Sequence, residues 1–437
     1  MEPFRLTATE ALAKIKDGSL SVEAYARSLL SRIEQRDDAV KAWAHLDPEY
    51  VIQQAKQLDL VPPEKRGPLH GVAIAVKDIM YTKDMPTQHN SPIYEGHDPT
   101  LDAAAIATLR HAGALLIGKA TTTEFASTAT GPKTLNPHDP TRTPGGSSSG
   151  SAAAVADFQV PLGLGTQTGG STIRPGSFNG IFAFKPTWGA ISREGLKFYS
   201  LNLDTIGFFA RSVADLELLS DMFNLEDDDA RPDFAIRGAK FAVLKTSVWP
   251  QAGPGTVAAL EAGARLLRDG GADVEEIELP PEFDRVVEWH RTVLHSDGRP
   301  TFLPEYRVAK EKLDPFIADH VENGQKISRA AQLEAFDGLA ALRPRIDEIA
   351  KKYAAILTPS VVDEAPKGTQ STGSPAFNCM WTALHTPVVN VPGFQGGNGM
   401  PIGLSLVAPR YHDRHLLIVS KAVGDIFAAE GGWKSKV

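Results

Sequence analysis

A single cysteine, Cys379, stands in 437 residues, so the chain can close no disulfide within itself. That scarcity fits a reducing compartment, and the expected location is cytoplasmic. No apolar run approaches the roughly 18 residues of a membrane-spanning helix. The opening MEPFRLTATEALAKIKDG lacks the apolar centre of a secretory signal. Basic runs are missing as well. Lys and Arg number 45 against 53 Asp and Glu, a formal net charge of −8, which argues against a nucleic-acid partner. There is no His-Glu-x-x-His helix and no Gly-x-x-x-x-Gly-Lys-Ser/Thr loop, and one cysteine cannot build a multi-cysteine metal centre. Gly163, Gly165 and Gly169 are spaced one residue too widely for a dinucleotide fingerprint. The 12 histidines are scattered, and His290 and His295 lie five apart, poor spacing for one helix face. No metal and no organic cofactor are expected.

What the chain has is ordinary globular composition, 42% hydrophobic and 22% charged, without repeats or a long linker. One large α/β domain is expected over residues 1–437. Residues 1–60 form a helical arm, with Thr7 and Glu10 at capping-box spacing and Val22, Tyr25, Leu29 and Ile33 on one face. Short apolar runs at 72–76, 115–117, 160–165 and 181–184 read as strands. A helix is expected over 102–111, and another in the Ala-rich part of GGSSSGSAAAVA (145–156). The stretch 165–180 reads as a long Gly-rich turn. Strand, helix and strand recur at 240–244, 257–268 and 274–279, so the sheet is expected to be mainly parallel. Residues 285–352 read as polar helices, a peripheral layer or lid. Strands at 355–357, 388–391 and 402–407 and a helix near 413–429 close the chain.

The chemistry-bearing features are serines in two Gly-rich segments and a lysine at a strand end. Gly146–Gly150 spells Gly-x-Ser-x-Gly, but within a Gly/Ser run rather than after an obvious strand. Thr168, Gly169, Gly170 and Ser171 can aim successive N–H groups at one point, as an oxyanion requires. A serine nucleophile there needs a base. With no histidine well placed, a buried lysine serves if burial keeps it neutral. Turn serines and a solvated strand-end lysine explain the same residues, and composition leaves both readings open.

The segments GGSSSGSAAAVA (145–156), PLGLGTQTGGSTIRPGSFNG (161–180) and FKPTWGAISREG (184–195) closely resemble the amidase signature family. The resemblance extends to GVAIAVKD (71–78), GKATTTEFA (118–126), LDTIGFFARSVADL (203–216), ILTPS (356–360) and PVVNVPGFQGGNGMPIGLSLVA (387–408). It implies an α/β/α sandwich around a large mixed sheet, with a catalytic signature region over 65–225. It implies amide hydrolysis through an acyl-enzyme on Ser171. Lys77 and Ser147 relay the proton, the Gly146–Ser147 peptide is cis, and the amides of Thr168, Gly169, Gly170 and Ser171 form the oxyanion hole.

Departures from the common pattern are Ala73 for Pro, Ser149 for Gly, Gln167 for an acid, Asn179 for Cys, and Arg174 three residues past Ser171 instead of two. The TQTGGS-x-Ile-Arg-Pro arrangement resembles the branch acting on small acidic amides such as malonamate. That makes Arg174 and Gln167 candidate substrate contacts, and the helices of 285–345 shape the pocket. The expected partner is a small-molecule amide, without nucleic acid or membrane; a homodimer is compatible. The alternatives are a carbamate- or ester-cleaving member of the family, the glutaminase subunit of a tRNA-dependent amidotransferase, and a non-catalytic binding module on the same scaffold.

Overall fold

The computed structural model describes residues 2–228 and 234–437. Its strands begin with β1 (Trp43–Leu46), β2 (Ala73–Lys77), β3 (Leu115–Ala120) and β4 (Leu162–Gln167). Then come β5 (Phe182–Lys185), β6 (Thr205–Ala210), β7 (Lys240–Leu244) and β8 (Asp273–Ile277), and last β9 (Ala355–Pro359), β10 (Val388–Gln395) and β11 (Pro401–Val407). They form one sheet in the order β1-β3-β2-β4-β6-β5-β10-β11-β9-β7-β8. The helices are α1 (Ala8–Lys16), α2 (Val22–Val40), α3 (Pro48–Asp59), α4 (Ala104–His111) and α5 (Ser149–Ala156). They continue with α6 (Ile173–Asn179), α7 (Val213–Met222), α8 (Pro254–Asp269), α9 (Val286–Thr301) and α10 (Leu303–Ala309). The last are α11 (Pro315–Glu322), α12 (Arg329–Ala350), α13 (Ala376–Ala383) and α14 (Asp413–Glu430).

Side-chain alternation makes the three layers. On β2, Ile74 and Val76 join one buried cluster while Ala73 and Ala75 join another, as a strand of period two buried on both faces must. The first cluster packs α4, α7, α8 and α14 on one face. The second packs α2, α3 and α5 on the opposite face, where Val22, Tyr25, Leu29 and Ile33 are all buried. At the far end of the sheet β7 divides in the same way. Phe241 and Val243 face the first layer; Ala242 and Leu244 face a third cluster with α9, α12 and α13.

The α/β class stands and the sheet is mixed, but it is not mainly parallel. Among the described strands six pairs are antiparallel and four parallel. The two units read as strand–helix–strand are parallel as expected. The centre differs because β6 inserts antiparallel between β4 and β5, and β10–β11 is a hairpin. The stretch 165–180 is also more than a turn, since it holds α6. Within 285–352, α9 and α12 are built into the core, with Val286, Val293, Leu339 and Ile346 buried.

The N-terminal arm is tied down by charge as well as by packing. Asp215, in the first turn of α7, accepts hydrogen bonds from the backbone N–H of Ala8 (3.0 Å) and Thr9 (2.9 Å) and from Thr9 Oγ1 (3.0 Å). Removing it orphans two donors at the start of α1. Asp215→Ala is expected to lower stability by about 2–3 kcal/mol, given what hydrogen bonds to charged groups are worth. An unchanged urea midpoint would contradict this.

Candidate active site

β3, β2 and β4 run parallel, so their carboxyl ends open at one edge of the sheet, where such sheets place ligands. Lys77 is the last residue of β2 and pairs with Ala120 at the end of β3. β4 ends at Gln167 and feeds the loop into α6. The 145–149 segment is fastened against β4: Ser148 Oγ accepts from Thr166 N at 3.2 Å and lies 3.3 Å from Thr166 O. Gly150 lets α5 approach the chain just before β1 and just after β3, because a Cβ there would sit 2.1 Å from the Ala42 carbonyl oxygen and 2.5 Å from Thr121 N.

Lys77 is fully buried and donates to Ser147 Oγ at 2.7 Å and Thr166 Oγ1 at 2.8 Å. No carboxylate among the described residues pairs with it. Burial pushes its pKa well below the usual amine value; Asp204 partly opposes this and Arg174 adds to it. The Gly146–Ser147 peptide is cis. Ser171 lines a cavity of about 490 Å³, and its Oγ has no hydrogen-bond partner among the described residues. No hydrogen bond joins it to Ser147. Catalytic contacts are often loose until substrate binds, so this geometry is compatible with a relay.

Each of the three carbonyls before Ser171 is held by a partner. Thr168 O meets His290 Nε2 at 2.8 Å, Gly169 O accepts from Thr382 Oγ1 at 2.8 Å, and Gly170 O accepts from Arg174 N at 2.9 Å. The N–H groups of Thr168, Gly169, Gly170 and Ser171 have no acceptor among the described residues. A trans peptide directs its N–H opposite its carbonyl. The amide donors of Gly169, Gly170 and Ser171 thus lie opposite carbonyls that are already held and stay free for a ligand, as an oxyanion hole needs. Thr168 Oγ1 anchors the loop from below on Asp204 at 2.6 Å; burial raises the Asp204 pKa to about 6.

The two further candidates separate. Gln167 is fully buried and does not line the cavity. Its Oε1 accepts from Thr172 N (2.9 Å) and Ile173 N (3.0 Å), and its Nε2 donates to Thr382 Oγ1 (3.0 Å). The expected substrate contact at Gln167 is thus corrected: it caps α6 and braces the loop. Arg174 does line the cavity, 5% exposed and without a salt bridge among the described residues. Its Nη2 donates to Gly146 O (2.6 Å) and Thr372 Oγ1 (3.1 Å), while Nε and Nη1 are buried without a partner among the described residues. Burial brings its pKa down to about 10.

Thr166, Asp204, Thr382, His290 and Cys379 complete the site; Thr166 and Asp204 lie in segments that carry the family resemblance, 161–180 and 203–216, and no sequence pattern marks the other three for it. His290 and His295, though five apart, line the same cavity. His295, Asp319 and His320 each offer a ligand atom within 4.8 Å of the others. Both His320 nitrogens are already engaged, by Tyr199 Oη and Phe316 O at 2.7 Å, so this cluster is poorly suited to a metal. No described helix is long and apolar enough to cross a membrane.

A family profile described as Amidase matches residues 24–417. A glutamyl-tRNA(Gln) amidotransferase subunit from Acidothermus cellulolyticus is 39% identical over 299 residues, 63% of this chain and 59% of the relative's own length. Its counterpart from Symbiobacterium thermophilum is 33% identical over 460 residues, 93% of both chains. Among solved structures, an amidase superposes with a TM-score of 0.85 at 28% identity, covering 98% of this chain and 100% of its own. With the match running through all eleven described strands of the sheet and the whole Ser-rich site, the chain belongs to the amidase family, hydrolases of carbon–nitrogen bonds.

Proposed function

We propose that the protein hydrolyses the amide of a small substrate that also carries a carboxylate, through an acyl-enzyme on Ser171. Neutral Lys77 takes a proton from Ser147 as Ser147 takes the Ser171 proton. Ser171 Oγ attacks the carbonyl, and the amides of 169–171 receive the developing negative charge. Ser147 then protonates the departing nitrogen as the carbon–nitrogen bond breaks, and water releases the acid by the same relay.

One observation carries the substrate class. Arg174 lines the cavity, two of its guanidinium nitrogens are buried without a hydrogen-bond partner among the described residues, and none of the described Asp or Glu residues lines the cavity. A buried cation of this kind calls for an anion, and a guanidinium binds a carboxylate by two parallel bonds. Because Arg174 also holds the Gly146 carbonyl, its removal tests both roles at once. Arg174→Met is expected to lower kcat/KM for a dicarboxylic-acid monoamide about 30-fold or more, the range for unpairing a buried charge, and to affect a neutral amide much less. Equal losses on both substrates would reduce Arg174 to a brace, and a wild-type enzyme without preference for acidic amides would refute the substrate class.

The second reading, a glutaminase that works with partner subunits, is supported by the names of the relatives. Free glutamine brings an ammonium group as well as a carboxylate, and among the described residues the cavity offers no carboxylate to receive it. Glutamine turnover by the protein alone, set beside acidic monoamides, carbamates and esters, separates these substrates. Size-exclusion of the purified chain reads whether it stands alone, pairs with itself or requires others.

A further inference from the structure

We propose that His290 is a positioning residue for amide cleavage: its ring holds the Thr168 carbonyl and thereby aims the Gly169 N–H at the reacting oxygen. The inference rests on the reading of Ser171 as nucleophile.

A carbonyl oxygen can only accept, so the 2.8 Å contact makes His290 Nε2 the donor whatever the charge on the ring. The cis bond before Ser147 is the only one recorded among the described residues, so the peptide from Thr168 to Gly169 is trans. Its N–H points away from the carbonyl that the ring holds, and that N–H has no acceptor among the described residues. The other two carbonyls of the loop are held by Thr382 and by the first turn of α6. Only the Thr168 carbonyl depends on a side chain from the 285–345 helices.

The holder is itself fixed. His290 is 3% exposed on α9, flanked one turn away on each side by buried Val286 and Val293, and the ring also meets the Cys379 thiol of α13. Without the ring, Thr168 would stay anchored through Oγ1 on Asp204, so the loop would keep its place. The peptide plane would be less constrained, because Gly169 has no Cβ to limit its rotation. The bond from His290 also polarises the peptide and strengthens its N–H as a donor. His290 therefore acts on the transition state, where charge develops on the oxygen, and little on substrate binding.

The test compares His290→Phe, which fills the ring's space without a donor, with His290→Gln, whose side-chain amide reaches as far and can donate. The readouts are melting temperature, kcat and KM on an amide, and the rate at which a fluorophosphonate, whose phosphonyl oxygen occupies the same donors, labels Ser171. The full loss of one oxyanion donor lowers kcat by about 10²–10³, so a loosened donor in His290→Phe is expected to lower kcat about 10–100-fold. KM should stay within a factor of about 3 and labelling should slow in step with kcat, while His290→Gln recovers most of both. A folded His290→Phe with wild-type kcat and labelling would overturn the inference. So would a Gln variant as impaired as Phe, or losses confined to KM. A wild-type protein that does not label at all would overturn the nucleophile assignment itself, and this inference with it.

Discussion

Ser171→Ala is expected to reduce amide turnover by about 10⁴-fold or more, the scale seen when a serine nucleophile is removed from an acyl-transfer site. The melting temperature should hardly move. Ser171 Oγ has no hydrogen-bond partner among the described residues, so its removal orphans no donor or acceptor, and the loop keeps the bonds from His290, Thr382, Arg174 N and Gln167. That separation makes the variant informative, since lost activity cannot be blamed on lost structure. Fluorophosphonate labelling should vanish with turnover. Substantial hydrolysis by purified Ser171→Ala, free of wild-type enzyme, would move the nucleophile elsewhere, and Ser147 would then be the next candidate because it already meets Lys77.

Lys77, Ser147 and Ser171 were legible because each sits in a contiguous segment whose residues carry the pattern. The residues that hold the neighbouring loop were not singled out individually, although Asp204 lies in a segment that carries the resemblance. Asp204, His290, Cys379 and Thr382 come from β6's approach, α9 and α13, and only the folded sheet brings them to residues 166–171. Gln167 was legible as an oddity but misread in role. A motif places a side chain in sequence, and its direction depends on which N–H groups need an acceptor, here those of Thr172 and Ile173. α6 was hidden by Gly176 and Pro175, yet proline is tolerated in a first helical turn, where its missing N–H is not needed. β6 (TIGFFA) is buried along its whole length and therefore lacks the alternation that marks a half-exposed strand. Strand direction in the centre of the sheet was illegible for a related reason: pairing is decided by which strands meet, and β4, β6 and β5 meet out of chain order.

Replacing Lys77 by Ala is expected to cost about 10²–10⁴-fold in turnover, the range for a general base, and in the wild type the same group should set the acid limb of the rate profile. The lysine must be neutral to accept a proton. Its pKa lies well below the usual amine value because burial disfavours the charged form. Activity should therefore rise with pH through that depressed pKa and level above it. Stability should follow with the same sign. Between the depressed folded value and the ordinary unfolded one, the unfolded chain binds more protons at this site, so folding gains stability as pH rises through that window. Lys77→Met should remove this part of the slope. Two neighbours allow the limb to be assigned to Lys77. Asp204 raises the lysine's pKa and Arg174 lowers it. Asp204→Asn should move the acid limb to lower pH, and Arg174→Met should move it to higher pH, with whatever activity each retains. Asp204 itself has a pKa of about 6 and could otherwise be mistaken for the titrating group. If its own ionisation made the limb, Asp204→Asn would abolish the limb instead of displacing it, and near-full activity of Lys77→Ala at neutral pH would place the base elsewhere.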